Sequence, residues 1–237
     1  MSRYTVNIKQ QTPSQKTQDK SKMSIAILSA GLGKKIKSYE PRSLIKVDKN
    51  YLLQHQIDTL NKHFKNPDII TVVGCYSNKI IKKFRGKTRF VENQLYSTTN
   101  SSESLRLAFN NTNCTSFMFI HGDILFNLDT LKLNYSQSFI VKDTNCQLKD
   151  TEVGLTQIGD SLSIMSYGLP NKWAQCAYFT GDELNILKGV FNRYEEKDKK
   201  KLSFEIINEV ISLGGKFACC DPKKMDILEI DRIKDIK

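Results

Sequence analysis

The sequence predicts an α/β protein with a mostly parallel sheet flanked by helices and a smaller second half. Two observations carry this. From residue 24 to residue 131, short apolar runs alternate with amphipathic stretches, as strands alternate with crossover helices in a parallel sheet. After Leu131 the pattern shifts to shorter strand-like pieces and then a pair of helices. A chain of 237 residues can bury one good core, and no internal repeat divides it, so a single domain is expected.

Residues 24–29 (SIAILS) read as a buried first strand. Residues 51–64 place Leu52, Leu53, Gln56, Ile57, Leu60 and Phe64 at helical spacing. Residues 69–75 (IITVVGC) form a second strand, 78–84 a short helix and 89–92 a third strand. A helix over 102–109 turns Leu105 and Phe109 to one face, and 116–121 (SFMFIH) is a fourth buried strand ending at Gly122-Asp123. In the second half, 138–141, 153–158 and 162–166 read as strands, 182–193 and 202–213 as helices, and 216–220 and 226–230 as closing strands. The charged run 195–201 between the two helices reads as a solvated helix end or loop. Residues 1–22 are polar and nearly devoid of apolar side chains, so they cannot offset their own ordering entropy and are expected to form a flexible basic tail. The domain then runs over 23–237, with one half at 23–131 and the other at 132–237.

Hydrophobic residues make up 39% and charged residues 26% of the chain, which fits a globular protein and excludes wholesale disorder. No apolar run is long enough to cross a bilayer, and the start lacks the apolar core of a signal peptide. A cytoplasmic location without membrane partners is the expectation. The six cysteines (Cys75, Cys114, Cys146, Cys176, Cys219 and Cys220) show no CxxC pair and no histidine cluster. That spacing supports neither a zinc site nor a disulfide framework. The net charge of +11 favours polyanionic or phosphorylated partners. No basic stripe interleaved with aromatics, of the kind single-strand binders use, appears along the chain.

Ligands of open α/β sheets sit beyond the carboxyl ends of the strands. The loop after the first strand, Ala30-Gly31-Leu32-Gly33-Lys34-Lys35, therefore stands where phosphates would bind. Gly31 and Gly33 let backbone N–H groups approach an anion, and Lys34 and Lys35 add charge beside them. Two glycines alone also fit an ordinary strand-to-helix turn. Ile36 occupies the place where GxGxxG needs its third glycine, and GxxxxGK[ST] is absent. Gly122-Asp123, ending another apolar strand, is aimed at the same sheet edge.

The run Leu28-Ser29-Ala30-Gly31-Leu32-Gly33-Lys34-Lys35, followed by Pro41-Arg42-Ser43-Leu44, resembles the signature loop of the nucleotidyltransferase superfamily, L-A-A-G-x-G-x-R then P-K-x-L. That superfamily includes the sugar-phosphate nucleotidylyltransferases and small cytidylyltransferases. Residues 93–100 (NQLYSTTN) resemble the N-x-x-Y-x-x-T-N segment of its phosphocholine cytidylyltransferase-like branch. The likeness spans residues 24–237 and is strongest over 25–60 and 93–123. Two departures matter. Lys35 replaces the family's arginine and Arg42 its lysine; both keep the charge, but a point charge stands for a planar fork at the first and a planar fork for a point charge at the second.

The resemblance implies a Rossmann-like, GT-A-like nucleotidyltransferase fold, with a nucleotide-binding first half and an acceptor-binding second half. It implies a reaction in which a nucleoside triphosphate, CTP favoured, meets a small phosphorylated acceptor such as phosphocholine or a sugar phosphate, and pyrophosphate leaves. The acceptor phosphate is already an anionic nucleophile, so no general base is required. His121 is then a packing or polar neighbour of the site. Lys35, Arg42 and Asp123 carry the catalytic roles. Ala30, Gly31, Gly33, Lys34, Asn93, Thr99, Asn100 and Ser102 contact the nucleotide, with Ser101 or Ser102 also capping the following helix. The implied cofactor is Mg2+, held by Asp123 and Asp231, since two carboxylates suit an ion that keeps waters and bridges phosphates. Tyr167, Trp173 and Tyr178 supply an aromatic surface for a quaternary ammonium, or else serve as core and loop aromatics. Competing readings are a nucleotide-sugar-dependent glycosyltransferase, for which Gly122-Asp123-Ile124-Leu125 offers one carboxylate where Asp-x-Asp would offer two, a non-catalytic nucleotide-binding relative, and a basic nucleic-acid binder.

Overall fold

The most apolar segment of the first half, β1 (Met23–Ser29), lies between β4 (Asp68–Val73) and β6 (Ser116–His121), parallel to both. A strand so enclosed is buried on both faces, which is why it reads as an unbroken apolar run. The computed structural model describes residues 22–31, 41–144 and 152–230. Residues 1–21 of the predicted tail, along with Gly33, Lys34, Lys35 and Asp231, lie outside them.

After β1 the described chain resumes with a single 3-10 turn, Arg42–Leu44, and a two-residue hairpin, β2 (Lys46–Val47) and β3 (Asn50–Tyr51). Helix α1 (Leu52–His63) buries Leu52, Leu53, Gln56, Ile57 and Leu60. Helix α2 (Ser77–Phe84) connects β4 to β5 (Arg89–Glu92), and α3 (Ser101–Asn110) connects β5 to β6. β7 (Ile124–Phe126) and a 3-10 turn at Leu128–Leu131 end the first half.

The second half contributes β8 (Phe139–Asp143), β9 (Val153–Ile158), β10 (Ser161–Tyr167), β11 (Asn171–Thr180), α4 (Gly181–Asn192), α5 (Ser203–Ser212), β12 (Ala218–Cys220) and β13 (Ile227–Glu229). Among the described residues the main sheet has the order β5-β4-β1-β6-β11-β8-β12-β10-β9. The expected parallel order holds over its first four strands. Beyond them β11 runs antiparallel to β6 and to β8, and β12 runs parallel to β8. One sheet thus joins both halves.

β11 is not among the predicted strands. Lys172 and Gln175 interrupt its apolar sequence, and its register against β8 shifts between Trp173 and Ala177, where Gln175 takes a φ of 56°. The irregularity breaks the two-residue periodicity that would have marked a strand.

Two cores flank the sheet. Leu105, Phe117, Phe119, Trp173, Phe179, Leu187, Ile207 and Val210 belong to one, covered by α3, α4 and α5. Ile25, Ile27, Leu53, Ile57, Leu60, Met118, Phe139 and Tyr178 belong to the other, covered by α1 and α2. The five described cysteines are free, with Cys75 and Cys176 buried, as small apolar residues are. No helix among the described residues is long and apolar enough to cross a membrane.

Candidate nucleotide and acceptor site

Four strand ends are laced together at the carboxyl edge of the sheet. The Cys75 amide donates to the Ala30 carbonyl at 3.0 Å, that of Gly122 to Leu28 at 2.9 Å, and that of Asn93 to Val73 at 2.8 Å. These bonds hold the segments after β1, β4, β5 and β6 around one cavity of about 460 Å3, lined by Ala30, Gly31, Arg42, Asn93, Tyr96, Thr99, Asn100, Ser101, Ser104 and Asp123, among others. The structure therefore gathers Ala30, Gly31, Arg42, Asn93, Thr99, Asn100 and Asp123 in one place, from segments up to 93 residues apart in sequence.

The floor is Gly122-Asp123. An added Cβ at Gly122 would come within 2.7 Å of Ser29 Oγ and 2.8 Å of the Leu28 carbonyl, so only glycine lets this turn lie against β1. Arg42 forms an ion pair with Asp123 through Nη1 and Oδ2. The other carboxylate oxygen, Oδ1, is buried with no hydrogen-bond partner among the described residues. The Asp123 carbonyl accepts from the Ile230 amide at 2.8 Å, while β13 pairs antiparallel with β7, Glu229 opposite Ile124. The carboxyl-terminal strand thus closes on the Asp123 turn, and Asp231 is the next residue in sequence. No group of three or more His, Cys, Asp or Glu side chains able to hold a metal occurs among the described residues.

The segment 93–104 is ordered by its own side chains. Asn93 Nδ2 donates to Thr99 Oγ1 and to Ser104 Oγ, both at 3.1 Å, and its Oδ1 accepts from the Leu95 amide. With both amide hydrogens used internally, Asn93 shapes the cavity wall. Tyr96 packs against Gly74, where an added Cβ would lie 2.6 Å from the tyrosine Cβ.

The start of α3 differs from expectation. The amides of Asn100 and Ser102 donate to the carbonyls of Lys199 and Lys201, at 2.8 and 3.3 Å. Asn100 Nδ2 donates to the Lys200 carbonyl at 2.6 Å. Ser102 is fully buried. Its hydroxyl donates to the Asp198 carbonyl and accepts from Tyr194. Ser102 does not line the cavity; Ser101 and Ser104 do. The charged run 195–201, expected to be a solvated helix end or loop, forms the 3-10 turn Glu196–Lys200 with Asp198 buried, and the carbonyls of Lys199 and Lys201 accept from the Asn100 and Ser102 amides at the start of α3. Sequence gave no signal for this, because the partners lie about 100 residues apart.

A second, smaller cavity of about 170 Å3 adjoins the first and shares Ser101, His121 and Leu202 with it. His121 Nε2 lies 2.8 Å from Ser203 Oγ, and its ring meets Trp173 edge-on at 5.4 Å. Burial lowers the His121 pKa below the usual histidine value, with the Asp123 carboxylate working against the shift. Of the three aromatics expected in the acceptor site, Tyr167 and Trp173 line this cavity. Trp173 is 3% exposed and donates its Nε1–H to the Cys176 carbonyl. Tyr178 lies elsewhere. Neighbouring side chains on a strand point to opposite faces, and Tyr178 stacks on Phe139 at 5.0 Å in the α1 and α2 core. Sequence reading also missed the charged wall, where Lys172 Nζ sits 3.0 Å from Glu152 and 3.5 Å from Glu229. Glu152 and Lys172 come from outside the motif-bearing segments, Lys172 in the strand that periodicity did not show, and Glu229 stands two residues before Asp231.

No protein-family model and no curated protein matches the sequence. The architecture does match solved structures. The CTP:phosphocholine cytidylyltransferase from Streptococcus pneumoniae has a TM-score of 0.73 at 19% identity, covering 90% of this chain and 96% of that one. The inositol-1-phosphate CTP transferase from T. maritima gives 0.71 at 13% identity, covering 92% of each chain. A UDP-glucose pyrophosphorylase complexed with UDP-glucose gives 0.68 at 10% identity, covering 92% of this chain and 96% of that one. Over nearly its whole length, the chain has the nucleotidyltransferase fold.

Proposed function

We propose that this chain is a nucleotidyltransferase that transfers a nucleoside monophosphate from an NTP, CTP favoured, to a small phosphorylated acceptor and releases pyrophosphate. The observation that carries this reading is a pair of adjoining cavities that share Ser101, His121 and Leu202, a larger one ringed by the Ala30–Gly31 and Asn93–Ser104 segments and by Asp123, and a smaller one with a charged and aromatic wall. The larger suits a nucleotide and the smaller a compact acceptor, so the two substrates meet at the sheet edge.

In this reading an oxygen of the acceptor phosphate attacks the α-phosphorus while the bond to the β-phosphate breaks. Arg42 clamps the α-phosphate or the acceptor and offsets charge building at the transition state. The Gly31 amide approaches the phosphates. Gly33, Lys34 and Lys35 are assigned on sequence grounds to the triphosphate and the departing pyrophosphate. Thr99, Asn100 and the neighbouring Ser101 face the nucleotide, and Tyr167 and Trp173 face the acceptor. Lys172, ion-paired with Glu152 and Glu229, lies in the wall of the smaller cavity. No residue need act as a general base, and His121, whose pKa burial lowers, hydrogen-bonds Ser203 between the two cavities.

The site fits a hard divalent cation. Asp123 Oδ1 is buried and unpartnered among the described residues, and the Ile230 amide ties the residue preceding Asp231 to the Asp123 carbonyl. Asp123 and Asp231 would hold Mg2+, which supplies neutralisation of phosphate charge. The test is a pyrophosphate-release screen of the four NTPs against phosphocholine and sugar 1-phosphates, with and without a chelator. Turnover with one pair, lost on chelation, is the expected result. Nucleotide binding with no turnover across the screen would give the non-catalytic reading instead.

A further inference from the structure

Helix α1 turns Leu52, Leu53, Gln56, Ile57 and Leu60 into the core. Four of these are apolar and one is an amide. Gln56 is 1% exposed, and its Nε2 donates at 3.0 Å to the His121 carbonyl and at 2.8 Å to the Ile124 carbonyl. Those two carbonyls flank Gly122-Asp123. The orientation is dictated chemically, since a flipped amide would press its oxygen against two carbonyl oxygens. Gln56 Oε1, meanwhile, is buried with no partner among the described residues. An orphaned buried acceptor is costly, and a leucine would avoid it while continuing the apolar face. What leucine cannot supply is two donors, one on each side of the Asp123 turn.

The rest of the turn is also fixed by backbone bonds: Gly122 N–H to Leu28, and Ile230 N–H to the Asp123 carbonyl. Neither constrains the side facing α1. We propose that Gln56 is a positioning residue, whose paired donation to the His121 and Ile124 carbonyls sets where the Asp123 carboxylate points. The consequence for turnover rests on the transferase reading above.

The test compares Gln56→Met, which keeps the length and removes both donors, with Ile57→Val, a cavity-forming change on the same helix that leaves both donors in place. Amide hydrogen exchange at Gly122 and Ile230 is followed by NMR, with kcat and nucleotide KM measured in parallel. Gln56→Met is expected to speed exchange at both amides at least about 10-fold beyond Ile57→Val. It should lower kcat about 10- to 100-fold with KM nearly unchanged, because a misplacement of about 1 Å costs rate rather than binding. Exchange at those amides no faster than in Ile57→Val would overturn the proposal. So would a kcat equal to that of Ile57→Val in a chain that turns over. If the unaltered chain releases no pyrophosphate, the transferase reading falls, and the exchange measurement still decides whether Gln56 fixes the turn.

Discussion

At Gly31 an added Cβ would meet nothing within 4 Å among the described residues, and the backbone is not left-handed, so packing does not require glycine there. At Gly122 the same methyl would collide with Ser29 and the Leu28 carbonyl. Two opposite outcomes are expected. Gly31→Ala should leave Tm unchanged and weaken nucleotide binding in a titration with CTP. Gly122→Ala should cost about 1–3 kcal/mol of stability through overpacking, seen as a lower midpoint in urea. That both glycines lie at the sheet edge was legible, because each follows an apolar strand. Their different reasons were not, since what a Cβ would touch depends on strands brought together by the fold. Gln56 shows the same limit. Its helical spacing was plain, but only the β6–β7 turn packed against α1 gives its amide a purpose.

Among the elements, the 3-10 turn at Glu196–Lys200 clasps the start of α3 through Asn100 and Ser102. Ser102→Ala should cost about 1 kcal/mol, lowering Tm by about 2–4 °C in a chain of this size. At the far edge of the sheet, Arg89 grips Asp68 through Nε and Nη2, at 2.7 and 2.8 Å, tying β5 to β4. That bond holds the Asp68 pKa below its usual carboxylate value. A depressed folded-state pKa gives stability that is full above the unfolded value of about 3.9 and is lost as pH falls through the folded value. Arg89→Gln should therefore flatten the acid limb of stability below about pH 4, measured as urea midpoints across pH. The strands of the first half were readable because burial on both faces leaves an apolar run. β11 escaped because its bulge and its polar wall residues serve the smaller cavity rather than a regular pleat.

Across the whole molecule, one sheet carries both halves, and β11 lies against β6. The larger cavity at the β1, β4 and β6 ends and the smaller one beside β11 therefore adjoin, with Ser101, His121 and Leu202 in the walls of both. This geometry makes Asp123 the pivot of the site, because it lines the larger cavity, pairs with Arg42 and accepts through its carbonyl from the Ile230 amide that follows β13. The most direct test is pyrophosphate release by the unaltered chain and by Asp123→Ala, using the NTP and acceptor pair found by screening, with circular dichroism as the check on folding. The account predicts turnover in the first and a loss of at least about 100-fold in the second, with the fold retained. Turnover in a folded Asp123→Ala chain equal to that of the unaltered one would contradict it.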